Sequence, residues 1–323
     1  MTRAYAVGLD LGGTDLKAAL VDDRGRIAYQ TKRPTQADRG VEPVLADLAA
    51  LTAEMIAQGK VPHGSVVGVG IGAPGPLSPS RGVIIKAANL PRFEDVPIRD
   101  ELARRTALPA VFDNDGNAAA YGEYWVGAGG GAADMILLTL GTGVGAGVIL
   151  GGKLLHGHFE NAAELGHTIV HPGGRPCPCG QRGCLEQYAS AAGVARRVIE
   201  EIQAGTKCVL TRFTPDVEAI TAKAVVDAVR TDDALATRIW DEACHALAIA
   251  CVNIQHSFNP AVIVLGGGMS AAGDILLDGV RGHLQALRWS LADDLPEVKL
   301  AELGNDAGVI GAAGLMFAQA DTP

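Results

Sequence analysis

No stretch of this sequence gathers lysine and arginine into a basic stripe. Its 27 basic residues are outnumbered by 36 acidic ones, for a formal net charge of -9. Neutralising a phosphate backbone needs clustered cations, so nucleic acid is not expected as a partner. The short pairs Arg104–Arg105 and Arg196–Arg197 read as solvated helix faces. Also missing is an apolar run of ~18 residues, so no membrane span is expected. The opening MTRAYAVGLDLGG enters a strand and a glycine turn at once, without the apolar core or cleavage site of a signal peptide. A cytoplasmic protein with reduced thiols is therefore expected. GxxxxGK[ST] does not occur, which removes a Walker A loop. GTGVGAG at 141–147 superficially resembles a dinucleotide fingerprint. It continues as a strand over 144–150 rather than opening a helix, and so fails in context.

Aromatic residues make up 4% of the chain, whereas glycine is plentiful at 42 residues, clustered in turns rather than periodic. At ~100–200 residues per domain, the length points to two domains. Residues 4–30 read as three strands separated by turns, and Val44, Leu45, Leu48, Leu51, Met55 and Ile56 give residues 42–58 a helical spacing. A buried strand follows at 65–76, then a helix over 97–107, a strand over 109–115 and a helix over 116–127. A glycine-rich break at 127–131 precedes 135–155, which repeats the opening design. LDLGGT at 9–14 and LTLGTG at 138–143 match in pattern about 130 residues apart. The later chain reads as helices over 188–204, 221–230 and 232–258, a strand into a glycine turn that opens a further helix at 261–270, and a small-residue helix over 306–319. Strands alternating with helices indicate an α/β fold with mostly buried sheets.

Three glycine turns follow strands, at 10–17, 139–145 and 265–268. Such turns let backbone N–H groups approach an anion without Cβ clashes. Three of them in a duplicated α/β chain point to a nucleotide. Asp10 beside the first turn suits Mg²⁺, which takes one or two carboxylates together with phosphate oxygens. Thr14 offers a hydroxyl and Lys17 an ammonium, although Lys17 also reads as an exposed strand lysine. Asp113, Asn114 and Asp115 stand where a strand meets a helix. Spacing alone favours a helix cap there, with Asp115 as a general base on a substrate hydroxyl the second reading.

Three of the six cysteines, Cys177, Cys179 and Cys184, fall within eight residues. In a reducing compartment that spacing reads as a metal site, and three thiolates with one imidazole suit Zn²⁺. His156, His158, His167 and His171 are each available as the fourth ligand. Four protein ligands would close the coordination sphere, which argues for a structural ion and against zinc hydrolysis.

The run 164-ELGHTIVHPGGRPCPCGQRGCLE-186 resembles the signature of the ROK family of sugar kinases and sugar-responsive repressors, an ExGH followed by CxCGxxGCxE. DLGGTDLK at 10–17, GAPGP at 72–76, NLP at 89–91, DNDGNAAAYGE at 113–123, TLGTGVGAGV at 139–148 and LGGG at 265–268 stand in the family's order, so the likeness covers nearly the whole chain. It implies a duplicated actin/hexokinase-like (ribonuclease H-like) α/β fold, with two domains and a cleft between them that closes over the substrates. The small N-terminal domain would comprise 1–118 plus about 304–323, with the C-terminal helix returning to it, and the large domain 119–303 with the zinc-binding loop.

The implied activity is transfer of the γ-phosphoryl of ATP, with catalytic Mg²⁺, to a hexose hydroxyl. By the same resemblance Asp115 is the base acting on the 6-hydroxyl. Asn89, Asn114, Asp115, Glu164, His167 and Glu186 bind the sugar, and His167, Cys177, Cys179 and Cys184 hold structural Zn²⁺. Asp10, Gly12, Gly13, Thr14 and Lys17 form one phosphate loop and Gly141, Thr142 and Gly143 the other, while Gly266 and Gly267 lie beside the adenosine. Glucose is the leading substrate, with mannose, fructose, allose, N-acetylglucosamine and N-acetylmannosamine as alternatives and discrimination expected in the loops 72–79 and 86–93. Polyphosphate is a conceivable second donor, and a homodimer is expected. The family's repressors carry a helix-turn-helix ahead of the first glycine turn. Here seven residues precede Gly8, too few for one.

Overall fold

A computed structural model describes residues 3–320 apart from 63, 88, 213, 215 and 290–293. Ala88, inside the 86–93 loop, thus lies outside the described residues. Contacts divide the chain into two compact units, one of Met1–Ala133, Gly147–Ala163 and Glu302–Pro323, the other of Asp134–Ala146 and Glu164–Ala301.

The first unit begins with a meander of β1 (Tyr5–Leu11), β2 (Asp15–Asp22) and β3 (Ile27–Pro34), followed by α1 (Val41–Gly59) and β4 (Val66–Ala73). Short strands β5 (Leu77–Ser78), β6 (Val83–Lys86) and β7 (Glu94–Val96) make a small separate sheet. Then come α2 (Ile98–Thr106), β8 (Ala110–Asn114) and α3 (Asp115–Val126). The small sheet escaped the sequence reading because strands of two to four residues show no alternation.

The main sheet has the order β3-β2-β1-β4-β8, antiparallel through the meander and parallel from β1 to β4 to β8. Alternation sorts its residues by face. Val7, Leu9 and Leu11 join the core under α1, whose Val44, Leu45, Leu48, Leu51 and Met55 recur at helical spacing and are buried. Ala6, Ala19 and Val21 face the other way, against Val309, Ala313 and Met316 of the C-terminal helix (Ala307–Ala320). That helix rides close on the strands. A Cβ at Gly8 would strike the carbonyl of Val309, and one at Gly70 the carbonyl of Ala312. Glu123, fully buried near the end of α3, accepts N–H bonds from Ala128 (2.8 Å), Leu303 (2.8 Å) and Glu302 (3.1 Å). Its carboxylate thereby staples the glycine-rich break to the segment leading into the C-terminal helix.

The second unit starts with β9 (Met135–Leu140), whose hairpin partner β10 (Val144–Leu150) carries the chain back into the first unit, where β11 (Lys153–Leu154) follows. After the cysteine loop come α4 (Glu186–Ala189), α5 (Ala191–Gln203), α6 (Ala222–Val229), α7 (Ala234–Phe258), β12 (Val262–Gly266), α8 (Asp274–Leu287) and β13 (Glu297–Leu300). The C-terminal helix is α9. The sheet order is β11-β10-β9-β12-β13, with β12 parallel to both β9 and β13.

One helix over 188–204 was expected, but Ser190 divides it. In an extended conformation, Ser190 accepts the Gly193 N–H at 2.9 Å as the N-cap of α5 while donating to the Glu186 carbonyl at 2.7 Å. The turn after β12 also differs from expectation, because a 3₁₀ turn over Gly268–Ala272 intervenes before α8.

Candidate functional site

In the first unit the parallel register sets Asp10, Gly72 and Asp113 side by side at the carboxyl ends of β1, β4 and β8. Ligands of open α/β sheets bind at this edge. The first glycine turn is closed by a Gly12 N–H bond to the Asp15 carbonyl (2.9 Å) and braced by Thr35, whose hydroxyl donates to the Gly12 carbonyl at 2.7 Å. A Cβ at Gly13 would lie 2.8 Å from the Cβ and carbonyl oxygen of Asn89, so Asn89 sits directly against this turn. Thr14 is exposed at its tip. Lys17, across the hairpin, reaches 3.6 Å from Asp10 and donates to the Asn305 carbonyl at 3.1 Å. Lys17 is therefore not a stray surface lysine. Burial pushes the Asp10 carboxyl above its ordinary range, and the Lys17 ammonium opposes that only in part.

At the β8–α3 junction the capping role falls to Asn114 and not to Asp115. Asn114 is the N-cap, its Oδ1 accepting the N–H groups of Gly116 (2.8 Å) and Asn117 (3.3 Å). Asp115 is the first residue of the helix, with an exposed side chain whose Oδ1 also accepts the Gly116 N–H at 2.8 Å. Since Asn114 fills the cap, the need for a cap does not account for Asp115.

The remaining candidate residues belong to the second unit. A bond from the Gly141 N–H to the Gly143 carbonyl (3.0 Å) closes the second glycine turn, and the Ala191 N–H ties the Gly141 carbonyl to the start of α5 at 2.8 Å. The third turn abuts it. Gly266 pairs with Thr139 across parallel strands, and a Cβ at Gly267, which has φ +79°, would lie 2.6 Å from the Leu140 nitrogen. The Glu186 carboxylate accepts the Val144 N–H at 3.2 Å and rests where a Cβ on Gly143 would be. Gly166 packs against the Val144 carbonyl, which brings the 3₁₀ turn Leu165–His167, and the exposed Glu164 before it, to the same place. Glu164, His167 and Glu186 thus gather around the second turn.

His167, Cys177, Cys179 and Cys184 converge so that their ligand atoms all lie within 4.8 Å of one another. His167 Nδ1 is 3.6 Å from Cys177 Sγ, and Cys179 Sγ is 3.6 Å from Cys184 Sγ. Zn–S bonds of ~2.3 Å at tetrahedral angles separate thiolates by roughly 3.8 Å, so the set fits the ion. Its electrostatics fit too. Burial and the neighbouring sulfurs push the Cys184 thiol up to about 12, a cost that a bound cation would reverse. Gly180 (φ +92°) and Gly183 (φ +87°) supply the left-handed backbone the loop needs.

The structure also chooses among the four histidines. His156 bonds to Asp113 within the first unit, His171 stacks on Tyr188, His158 lies edge-on to Phe159, and His167 joins the sulfurs. Buried Gln187 was missed from sequence. It donates to Cys177 Sγ (3.5 Å) and to Glu186 Oε1 (3.4 Å), linking the cysteine cluster to the Glu186 carboxylate. Its position one residue after Glu186 was the only available signal.

A glucokinase from Halalkalibacterium halodurans is 39% identical over 99% of this chain and 97% of its own length. A glucokinase from Thermotoga maritima is 37% identical over 98% of each chain. The crystal structure of a ROK family glucokinase from Streptomyces griseus, in complex with glucose and AMPPNP, superposes with a TM-score of 0.82 at 35% identity, covering 97% of this chain and 99% of that one. The ROK family profile matches residues 6–319, and the chain belongs to the ROK family, with the actin/hexokinase-like fold of its sugar kinases.

Proposed function

We propose that this protein is an ATP-dependent hexose kinase that phosphorylates the 6-hydroxyl of glucose. The observation that carries the reading is the division of labour at the β8–α3 junction. Asn114 caps the helix, and the Asp115 carboxylate stands exposed at the sheet edge that also bears Asp10. The names of the similar proteins support glucose as the acceptor.

In the reaction, the Asp115 carboxylate accepts the proton of the 6-hydroxyl as that oxygen forms a bond to the γ-phosphorus. The bond between the γ-phosphorus and the β,γ-bridging oxygen breaks, and ADP leaves with the electron pair. Such transfers depend mainly on positioning and charge stabilisation. Backbone N–H groups of the turns at Gly12–Thr14 and Gly141–Gly143 and the Lys17 ammonium serve the phosphates. Asp10 would hold Mg²⁺, which supplies charge neutralisation at the β- and γ-oxygens. The sugar hydroxyls fall to Asn89, Asn114, Glu164, His167 and Glu186.

The thiolate set with His167 would hold Zn²⁺ as a structural ion. With Nδ1 turned to the sulfurs, His167 presents Nε2–H to the sugar in a fixed tautomer. A charged acceptor that a closed, water-free site desolvates rejects analogues lacking the matching hydroxyl, which makes half-buried Glu186 a specificity residue.

A coupled ADP-release assay over glucose, mannose, fructose and the two N-acetylhexosamines tests the reading. Turnover is expected to be highest with glucose, and Asp115→Asn should lower kcat by at least ~10²-fold while glucose still binds. Absence of turnover with every sugar, or an Asp115→Asn variant with near-normal kcat, would overturn it.

A further inference from the structure

Asp113 is buried at 4% exposure at the end of β8, immediately before the Asn114–Asp115 pair. Among the described residues its carboxylate has three donors. Oδ1 accepts the Asn114 N–H at 2.7 Å and the Asn117 side-chain amide at 2.8 Å, and Oδ2 lies 2.7 Å from His156 Nε2. Asn117 is itself buried in the first turn of α3. One carboxylate therefore joins the strand end that carries Asn114, the helix turn that carries Asp115, and the segment that follows β11.

That segment is pinned again four residues on. The Glu160 carboxylate accepts the Ser78 hydroxyl and, at 3.2 Å, the Ser80 N–H. Gly157 (φ +73°), just after the first anchor, and Glu160 (φ +59°), the second anchor itself, bend the backbone through positive-φ conformations. A strap pinned at both ends gives His156 a fixed position from which to act on Asp113.

We propose that His156 is a positioning residue for phosphoryl transfer, acting through Asp113 to fix the orientation of Asn114 and Asp115. The inference rests on the reading of Asp115 as the base. Without the imidazole, Asp113 Oδ2 is left buried with no donor among the described residues, and a carboxylate that carries this desolvation cost shifts toward another partner. Asn114 and Asp115, attached directly to it, would move too. A misplacement of ~1 Å at reacting groups costs about 10²-fold in rate. The hydrogen bond to Asp113 also pushes the His156 imidazolium above its ordinary range despite desolvation, with Glu160 adding to it. Imidazolium and the neutral Nε2–H tautomer both donate to Asp113, so the anchor holds across neutral pH.

The test is steady-state kinetics on the full chain with glucose and ATP varied separately, for His156→Ala, His156→Gln, His156→Asn and Asp115→Asn. The glutamine amide nitrogen reaches the place of imidazole Nε2, whereas that of asparagine stops short. His156→Ala and His156→Asn should lose ~10–100-fold in kcat, His156→Gln should recover most of it, and KM for ATP should stay within about twofold throughout. A merely structural role would not give glutamine an advantage over asparagine at equal thermal midpoints. If His156→Ala fails to fold, the glutamine–asparagine pair decides. The proposal is overturned if His156→Ala keeps wild-type kcat, or if glutamine and asparagine are equally impaired, while Asp115→Asn is inactive. Should Asp115→Asn itself remain active, the assignment of the base fails instead.

Discussion

Asp10 shows a single carboxylate serving the site at the expense of stability. Burial raises its pKa in the folded protein, so the native state binds more protons than the unfolded chain between the ordinary carboxylate pKa and the raised one. Stability contributed by this residue therefore falls as pH rises through that window, and the penalty persists at neutral pH. Asp10→Asn should raise the melting temperature at pH 7 in the absence of nucleotide. The gain should shrink as pH is lowered through the window, and Mg²⁺-ATP turnover should drop. A melting temperature that falls at pH 7 would show that the Lys17 ion pair outweighs the desolvation cost. Other residues at this scale were hidden in the sequence because their partners are distant. Glu123 reads as one more helix position, and nothing local reveals that its carboxylate binds the N–H groups of Glu302 and Leu303. Asp113 was visible as part of DNDG, but its contact with His156, 43 residues on, was not.

At the scale of elements, the glycine turns carry the argument. Gly267→Ala should destabilise the protein by about 1–3 kcal/mol from its backbone alone, since φ +79° with ψ -175° is a region essentially confined to glycine. A further cost follows from the contact with Leu140, whose displacement would disturb the turn at Gly141–Gly143. KM for ATP should rise while KM for glucose changes little. Equal changes in both, measured by steady-state kinetics, would contradict the assignment of these turns to the nucleotide. The hairpins β1–β2 and β9–β10 were legible because alternating apolar residues flank a polar glycine turn, and α1 because its apolar positions recur every three or four residues. Ser190 as a helix divider was not legible, since serine caps only where the preceding turn lets it reach back to Glu186. Strand order was equally invisible. That β1 lies beside β4 depends on Gly8 and Gly70 together leaving room for α9.

On the scale of the whole molecule, the repeat between LDLGGT and LTLGTG proves to be a repeat of sheets. The order β3-β2-β1-β4-β8 in one matches β11-β10-β9-β12-β13 in the other, each with an antiparallel hairpin followed by parallel strands. What distinguishes the second copy is the cysteine loop between β11 and α4, and with it the proposed separation of duties: a metal clamp that shapes the sugar site and a carboxylate that performs the proton transfer. The most direct test is calorimetric titration of glucose and of a non-hydrolysable ATP analogue into metal-replete, chelator-stripped and zinc-reloaded protein. Stripping should weaken glucose binding by ~10–100-fold, reloading should restore it, and the affinity for the analogue should hardly change. Full glucose affinity in protein whose thiols hold no metal would contradict the account.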